Sequence, residues 1–320
     1  MFTNANFDRS VAATYARKFA KVRRANGKAP HKPVLLITLL ELIDKGLITE
    51  NRITISPELV AIFKENFSLL VTATDYKDDF TQPFYYLQSD GFWFLKPKVG
   101  FAFDTYVRSV HTLSDRLDFG YFSSDLFLLL VNGYARNLLK NSLLDAFFVA
   151  QKVQFLQGKN ARRSYLSELK TYLLNEKEAA YLPLPPVEDE ETRFVRGGLF
   201  KKLVPKVYDF TCAISGMKVI AMDGSSLVEA CHIVPISISG DDKVTNGIAL
   251  CPTLHTAFDR GMIAVDERFR VVVSPSLADG TTSPYNLRQF HGEALRLPFG
   301  EMHYPKPESF QWHLKEKFKR

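Results

Sequence analysis

Cysteines are few and long apolar runs are missing, and both shortages limit what this protein can be. Three cysteines among 320 residues are too few for a disulfide framework, and free thiols are typical of the reducing cytoplasm. No run of about eighteen apolar residues occurs, so no membrane-spanning helix is expected. The first ten residues, MFTNANFDRS, lack the apolar core of a secretory signal. We therefore expect a cytoplasmic protein with no membrane partner.

Acidic residues are scarce at the start of the chain. Residues 1–32 contain eight Lys or Arg and one acid, Asp8, whereas the net charge of the whole chain is only +6. Such a local surplus predicts a polyanion partner such as nucleic acid, although a solvated helix face would have the same composition. The hydrophobic content of 46% is that of a globular protein, and the length leaves room for two domains.

The segment with the most chemical information is residues 227–261. LVEACHIVP is apolar and β-branched, which predicts a strand ending near His232. A loop rich in Ser, Gly and Asp leads to Asn246, and IALC after it predicts a second strand that pairs with the first. PTLHTAFDR predicts a helix, on which His255 and Asp259 are four residues apart and therefore project from one face.

This order of elements resembles the HNH (ββα-metal) nuclease motif over residues 205–275. The match rests on His232, Asn246 fourteen residues later, His255 nine after that and Asp259 four further on. The resemblance implies that His232 is the general base, that Asn246 holds the loop and orients the base, and that His255 and Asp259 bind one divalent ion. The catalytic set is then His232, Asn246 and His255, with Mg²⁺ as the expected ion and Mn²⁺ as the alternative.

The strand that carries His232 departs from this motif at one position. Relatives often have Asp or His, as a further metal ligand, where this chain has Cys231. We expect Cys231 to be a small buried thiol, while a thiolate ligand would favour a softer ion. Glu229 lies two residues before His232 on the same strand face, so it is a candidate to bind the metal or to support a ligand.

A structural zinc is not expected in this domain. Many relatives hold one with two Cys-x-x-Cys pairs, whereas here Cys212 is followed at that spacing by Ser215, and Cys251 by Leu254. A four-cysteine site is therefore impossible.

Several cations near the motif are candidates for DNA contacts. Arg260 follows the helix of the motif, and its planar guanidinium suits phosphate oxygens. Lys201, Lys202 and Lys206 stand near the start of the nuclease domain and are possible contacts to the DNA backbone.

Before the motif, the sequence pattern predicts a separate domain of helices and strands. Residues 7–25 predict a basic amphipathic helix, and HKPVLLITLLELIDKG predicts a central helix. LITENRITIS predicts a short strand, and SPELVAIFKENFSLLV a helix with Ser56 as its N-cap. TQPFYYLQSDGFWFLKPK predicts two aromatic strands around a turn at residues 89–91. This order suggests a winged-helix-like α/β unit.

Further helices are predicted at 123–150 and 159–178. The segment LPLPPVEDEETRFVRGG, rich in Pro and acids, predicts a linker. The predicted organisation is a recognition domain at 1–180, a linker at 181–199 and an HNH nuclease domain at 200–320. The fold class is therefore α+β, with a winged-helix-like reader joined to a ββα-metal nuclease.

Residues 25–100 resemble the N-terminal module of McrA-like HNH restriction endonucleases, which cut modified DNA. APHKPVLLITLLELIDKG, ENRI and QPFYYLQSDGFW carry this resemblance, and some modules of this type read a phosphorothioate sulfur. Such a reader needs an apolar pocket beside cations, and His31, Lys32, Gln82 and Pro83 are the candidates. Another DNA mark or sequence, and no DNA contact at all, remain open alternatives.

Together these features predict a divalent-metal-dependent HNH endonuclease of restriction type that acts on modified double-stranded DNA. One such site cuts one strand, so double-strand cleavage requires a homodimer or two successive events. The alternative is a DNA-binding regulator with a degenerate HNH scaffold, which Cys231 and the missing zinc cysteines would favour. A toxin nuclease is a third possibility that the reader domain disfavours.

Overall fold

The computed structural model describes most of the chain. The described residues are 9–103, 105–161, 164–175, 189–278 and 286–320. The chain divides into two compact units, of which one comprises Met1–Ser167 with Pro186–Val195 and the other Glu168–Pro185 with Arg196–Arg320. Both units combine helices with small antiparallel sheets, so the class is α+β as predicted.

Three helices predicted from the sequence build the start of the first unit. Helix α1, Arg9–Ala20, buries Tyr15 and Phe19 but ends earlier than predicted, and the first residues of that prediction lie outside the described part. Helix α2, His31–Asp44, is the predicted central helix and is buried along almost its whole length. Helix α3, Pro57–Leu70, begins where predicted, because the Ser56 side chain accepts a hydrogen bond from the backbone N–H of Leu59.

The predicted aromatic hairpin is wrong. Its first half forms a short helix, α4 (Thr81–Tyr86), and only Trp93–Pro97 is a strand, β1. The partner of β1 is β2, Leu117–Phe122, which lies well beyond the segment predicted to pair. The physical reason is that Phe80 and Phe84, four residues apart, are both fully buried, which is the period of a helix and not of a strand.

The winged-helix arrangement is not confirmed. Within LITENRITIS, Ile53 forms a single bridge to Gly120 on β2 instead of a strand of a wing. The remaining helices of this part of the chain are α5 (Val110–Arg116), α6 (Ser124–Leu130), α7 (Gly133–Phe147), α8 (Lys152–Ala161) and α9 (Tyr165–Leu173). The helices predicted within 123–150 are thus present, whereas the one predicted at 159–178 is two helices.

The structure differs from the predicted linker at its C-terminal end. Residues 181–188 lie outside the described part, but helix α10 spans Glu190–Val207. Asp189 caps its start by accepting a hydrogen bond of 2.7 Å from the backbone N–H of Thr192. Two acidic residues in its first turn stabilise the helix further by interacting with the positive end of its dipole. Farther along α10, from Arg196 onward, the helix belongs to the second unit, and its apolar residues there are buried. The predicted domain limits otherwise stay predictions.

The second unit contains the predicted strand–loop–strand–helix order. Strand β3, Glu229–His232, pairs antiparallel with β4, Gly247–Leu250. The four-residue helix α11, Ile236–Ser239, lies in the loop between them, and α12, Pro252–Asp259, follows β4. This segment is the scaffold of the candidate site.

Further elements complete the second unit. Strands β5 (Ile263–Val265) and β6 (Val271–Val273) form the hairpin behind α12, and α13 (Pro307–Glu316) packs against β5. Among the described helices of the whole chain, none has the length and apolarity that crossing a membrane requires.

Candidate active site

His232 lies at the end of β3 with its ring fixed by an aromatic neighbour. The imidazole stacks on Phe200 of α10, with ring centroids 3.8 Å apart and planes within 4°. Its Nε2 atom is buried and has no hydrogen-bond partner among the described residues. Burial lowers the pKa of His232, against the opposite effect of nearby carboxylates such as Asp242. The ring is therefore neutral at pH 7 and has a nitrogen free to accept a proton.

Asn246 is buried and joins the two ends of the loop between β3 and β4. Its side-chain amide donates to the carbonyl of Val234 at 2.9 Å and to that of Asp241 at 2.8 Å. Its Oδ1 accepts from the N–H of Val234 at 3.0 Å. The geometry agrees with the implied role of holding the loop, because these bonds fix the backbone immediately after His232.

His255 on α12 lies between two carboxylates. Its Nδ1–H donates to Glu229 Oε2 at 2.8 Å, and its Nε2 is 3.5 Å from Asp259 Oδ2. Because the bond to Glu229 holds the proton on Nδ1, Nε2 keeps its lone pair on the side of Asp259. Glu229 thus orients His255, which is one of the two roles considered for it from the sequence.

Cys231 belongs to the same group of donor atoms. Its Sγ is buried and lies 3.6 Å from Asp259 Oδ1, and the ligand atoms of Cys231, His255 and Asp259 all lie within 4.8 Å of one another. Sulfur, imidazole nitrogen and carboxylate oxygen are all ligands of divalent ions, so these three residues could hold one. Burial raises the pKa of the Cys231 thiol, which makes it a protonated core residue without an ion.

Three of these side chains, those of His232, His255 and Asp259, line one open cleft of the second unit. Around His232, His255 and Asp259, its wall includes Lys201 from α10 together with His313 and Lys317 near the C-terminus. Arg260, the predicted phosphate clamp, is exposed at the end of α12 and is not among the lining residues. No spacing in the sequence connects Lys317 or His313 with the motif, which is why sequence reasoning gave them no role.

Cys212 and Cys251, the first cysteine of each incomplete Cys-x-x-Cys pair, are hydrogen-bonded to each other. Cys212 is buried and accepts a hydrogen bond of 3.5 Å from the N–H of Ser215. A hydrogen bond from the Cys251 thiol lowers the pKa of Cys212 to about 5 and raises that of Cys251. With Ser215 and Leu254 at the two other positions, the absence of a structural zinc stays a prediction.

The four residues predicted to read DNA lie together in the first unit. A cleft beside the start of α2 is lined by His31, Lys32, Gln82 and Pro83 with Arg23, Arg24, Tyr86 and neighbours. The two predicted cations are not free, however. The Lys32 ammonium is 2.7 Å from the Asp90 carboxylate, and His31 Nε2 donates to the carbonyl of Lys77 at 2.7 Å. Arg23 and Arg24 supply the remaining positive charge of this cleft.

Comparison with known proteins agrees with the geometry of the second cleft. A family model described as HNH endonuclease matches residues 212–266. Among solved structures the chain is similar to a modification-dependent TagI restriction endonuclease, with 21% identity, a TM-score of 0.29 and 36% of each of the two chains covered. No curated protein matches the sequence. His232, Asn246, His255 and Asp259 all lie inside the segment 212–266 that matches the HNH endonuclease family.

Proposed function

We propose that the protein is a divalent-metal-dependent DNA endonuclease of the McrA-like restriction group. The HNH domain hydrolyses a phosphodiester bond, and the first unit selects modified double-stranded DNA. The observation that carries the proposal is the cleft of the second unit, which His232, His255 and Asp259 line together within a segment that matches HNH endonucleases.

His232 is the general base in this proposal. Burial keeps its imidazole neutral, and the stacked Phe200 ring restricts its rotation. Asn246 fixes the backbone that follows it. The imidazole therefore takes a proton from the attacking water without first having to lose one of its own.

His255, Asp259 and Cys231 would hold the metal ion. When bound, a divalent ion supplies positive charge that stabilises the phosphate in the transition state and the leaving 3′ oxygen. Glu229 keeps His255 in the orientation that presents Nε2. Because Cys231 adds a sulfur donor, we expect an ion softer than Mg²⁺ to bind better, with Mn²⁺ preferred between the two ions considered.

The cleft of the first unit supports selection of a modified phosphate. Pro83 and Tyr86 give it apolar surface beside the guanidinium groups of Arg23 and Arg24, which is the combination that a sulfur-bearing, negatively charged phosphate needs. We rank phosphorothioate first among the marks to test, with 5-methylcytosine as the alternative.

The test compares three plasmids of one sequence that are unmodified, methylated at cytosine or phosphorothioated. Each is incubated with the full chain and Mg²⁺ or Mn²⁺, and with the His232→Ala variant as control. We expect cutting of one modified plasmid, loss of cutting by at least about a hundredfold in the variant, and unchanged DNA binding. Cutting that survives His232→Ala would overturn the assignment of the base.

The alternative is a DNA-binding regulator with an inactive HNH scaffold, and Cys231 at a position often held by Asp or His favours it. The same experiment separates the two functions. Tight binding of one modified duplex without cutting under either metal would identify the regulator.

A further inference from the structure

We propose that Lys201 and Lys317 form a phosphate clamp across the nuclease cleft, in which both ammonium groups bind the oxygens of the phosphate that is cut. This inference rests on the proposed nuclease function and names two substrate-binding residues for it. Arg260, the clamp expected from the sequence, does not line this cleft, and its contact with phosphate stays a prediction.

Lys201 is held in place by the packing of α10. The preceding residue, Phe200, is buried and stacks on His232 at 3.8 Å. A Cβ atom on Gly247 would lie 2.6 Å from Val204 and 2.9 Å from the Phe200 ring, so α10 rests directly on the first residue of β4. Lys201 is the next residue along this anchored turn, is exposed, and has its side chain at the cleft.

Lys317 is held by a second aromatic contact, which joins α13 to α12. His313 of α13 stacks on Phe258 of α12 with centroids 3.7 Å apart, and its Nε2–H donates to the Phe258 carbonyl at 3.0 Å. One turn later, the N–H of Lys317 bonds to the carbonyl of His313 at 3.0 Å. The stacking therefore positions Lys317 next to the helix that carries His255 and Asp259.

The C-terminal segment is also fixed against the turn that ends α12. Gly261 has φ +67°, and a Cβ atom there would come within 1.9 Å of the Lys317 carbonyl oxygen. The backbone N–H of Lys319 donates to the carbonyl of Gly261 at 2.9 Å. Only glycine permits this approach, so the residue two positions after Asp259 holds Lys317 at the cleft.

The negative charge beside this cleft has to be offset before a DNA phosphate can bind there. Glu229 and Asp259 place carboxylates beside the site, and these repel a DNA phosphate. Neither Lys201 nor Lys317 has an ion-pair partner among the residues that the structure describes. Lysine is a compact charge on a flexible stem and binds phosphate as such, so two lysines from elements far apart in sequence can approach one phosphate from both sides.

The first arm of the test measures cleavage by the full chain. Lys201→Ala and Lys317→Ala should each lower kcat/KM by about ten- to a hundredfold, the loss expected for a charge-assisted hydrogen bond, and Lys201→Arg should recover part of it. Lys315→Ala is the matched control, because Lys315 is an exposed lysine of α13 whose partner is Glu316 and which does not line the cleft. It should cut like the parent protein.

The second arm does not depend on cleavage or on the folding of a lysine variant. The His232→Ala protein is acetylated with and without each of the three DNA forms as a short duplex, and labelling of every lysine is followed by mass spectrometry. Lys201 and Lys317 should be protected by the duplex that binds, while Lys315 is not. Protection without cleavage by the parent protein would keep the clamp and reject the nuclease function. Cleavage by the parent protein with equal labelling of Lys201 and Lys317 in both conditions would overturn the clamp.

Discussion

At the scale of single residues, the nuclease site is defined by neighbours that restrict histidine rings. Phe200 stacks on His232, Glu229 binds Nδ1 of His255, and Phe258 stacks on His313. None of these partners belongs to the four-residue motif. Each reduces the conformational freedom of a ring that the chemistry or the cleft depends on, which is how supporting residues act in pre-organised sites.

The contact between Glu229 and His255 predicts an effect on metal affinity. Glu229→Ala removes the acceptor that holds the proton on Nδ1, so His255 loses its fixed orientation. We expect the dissociation constant for Mn²⁺ to rise by about ten- to a hundredfold, measured by isothermal titration calorimetry without DNA. His232→Ala serves as the control and should bind Mn²⁺ like the parent protein. An unchanged constant in Glu229→Ala would show that Glu229 has no influence on the ligand.

At the scale of elements, helix α10 lies where the sequence predicted a linker. Its first turn was expected to belong to a linker rich in Pro and acids, yet it is held by the half-buried cation of Lys64. The Lys64 ammonium lies 2.7 Å from Asp78 and 3.0 Å from Asp189. Glu191 is farther from it, at 3.9 Å, and accepts a hydrogen bond from the N–H of Phe80 at 2.8 Å.

Glu191 should make the stability of the first unit depend on pH. Burial raises the pKa of Glu191 from 4.5 to about 8, and the carboxylates of Asp79 and Asp78 add to the shift. The folded state therefore binds the proton more tightly than the unfolded state, and the stabilisation present below pH 4.5 is lost as the pH rises through 8.

Glu191→Gln removes this titration and leaves an oxygen for the N–H of Phe80. The free energy of unfolding of the variant should equal that of the parent protein near pH 5. At pH 9 it should be larger than that of the parent protein by on the order of a few kcal/mol. Urea unfolding followed by fluorescence at several pH values measures the difference. A difference that does not change with pH would mean that Glu191 is ionised in the folded protein throughout.

At the scale of the whole molecule, the proposed function places recognition of DNA in the first unit and the chemistry in the second. The first unit has a cleft beside the start of α2, and the second has the HNH cleft. This separation predicts that substitutions in the cleft of the first unit change DNA binding and leave the metal affinity of the second unit unchanged.

The double substitution Arg23→Ala/Arg24→Ala tests that separation. Removing two guanidinium groups from the cleft of the first unit should weaken DNA binding. The slope of log affinity against log salt concentration should become less steep by the amount expected for about two fewer phosphate contacts. The Mn²⁺ affinity of the second unit should not change. Gln82→Ala is the uncharged comparison, for which the salt dependence stays the same. An unaltered salt slope in the arginine variant would exclude this cleft as a DNA-binding surface.

Local patterns in the sequence were sufficient for several elements. The buried helix α2, the Ser56 cap of α3 and the β3–β4–α12 segment all follow from short-range signals such as apolar period, N-cap chemistry and Pro at a helix start. Four spaced residues also predicted the resemblance to HNH nucleases, whose family model matches residues 212–266. The prediction for the aromatic segment 81–98 was wrong in its first half, because aromatic residues favour strands in general whereas here Phe80 and Phe84, four residues apart, are buried on one face of a helical turn.

The sequence by itself determined the β3–β4–α12 segment and the places of His232, His255 and Asp259 on it, because their spacing on one strand and one helix is a property of local geometry. Only the tertiary structure decided what surrounds them. Phe200 reaches His232 from a different helix, and Lys317 reaches the cleft from the end of the chain. Contacts between residues so far apart depend on how elements pack, and no short-range pattern encodes them.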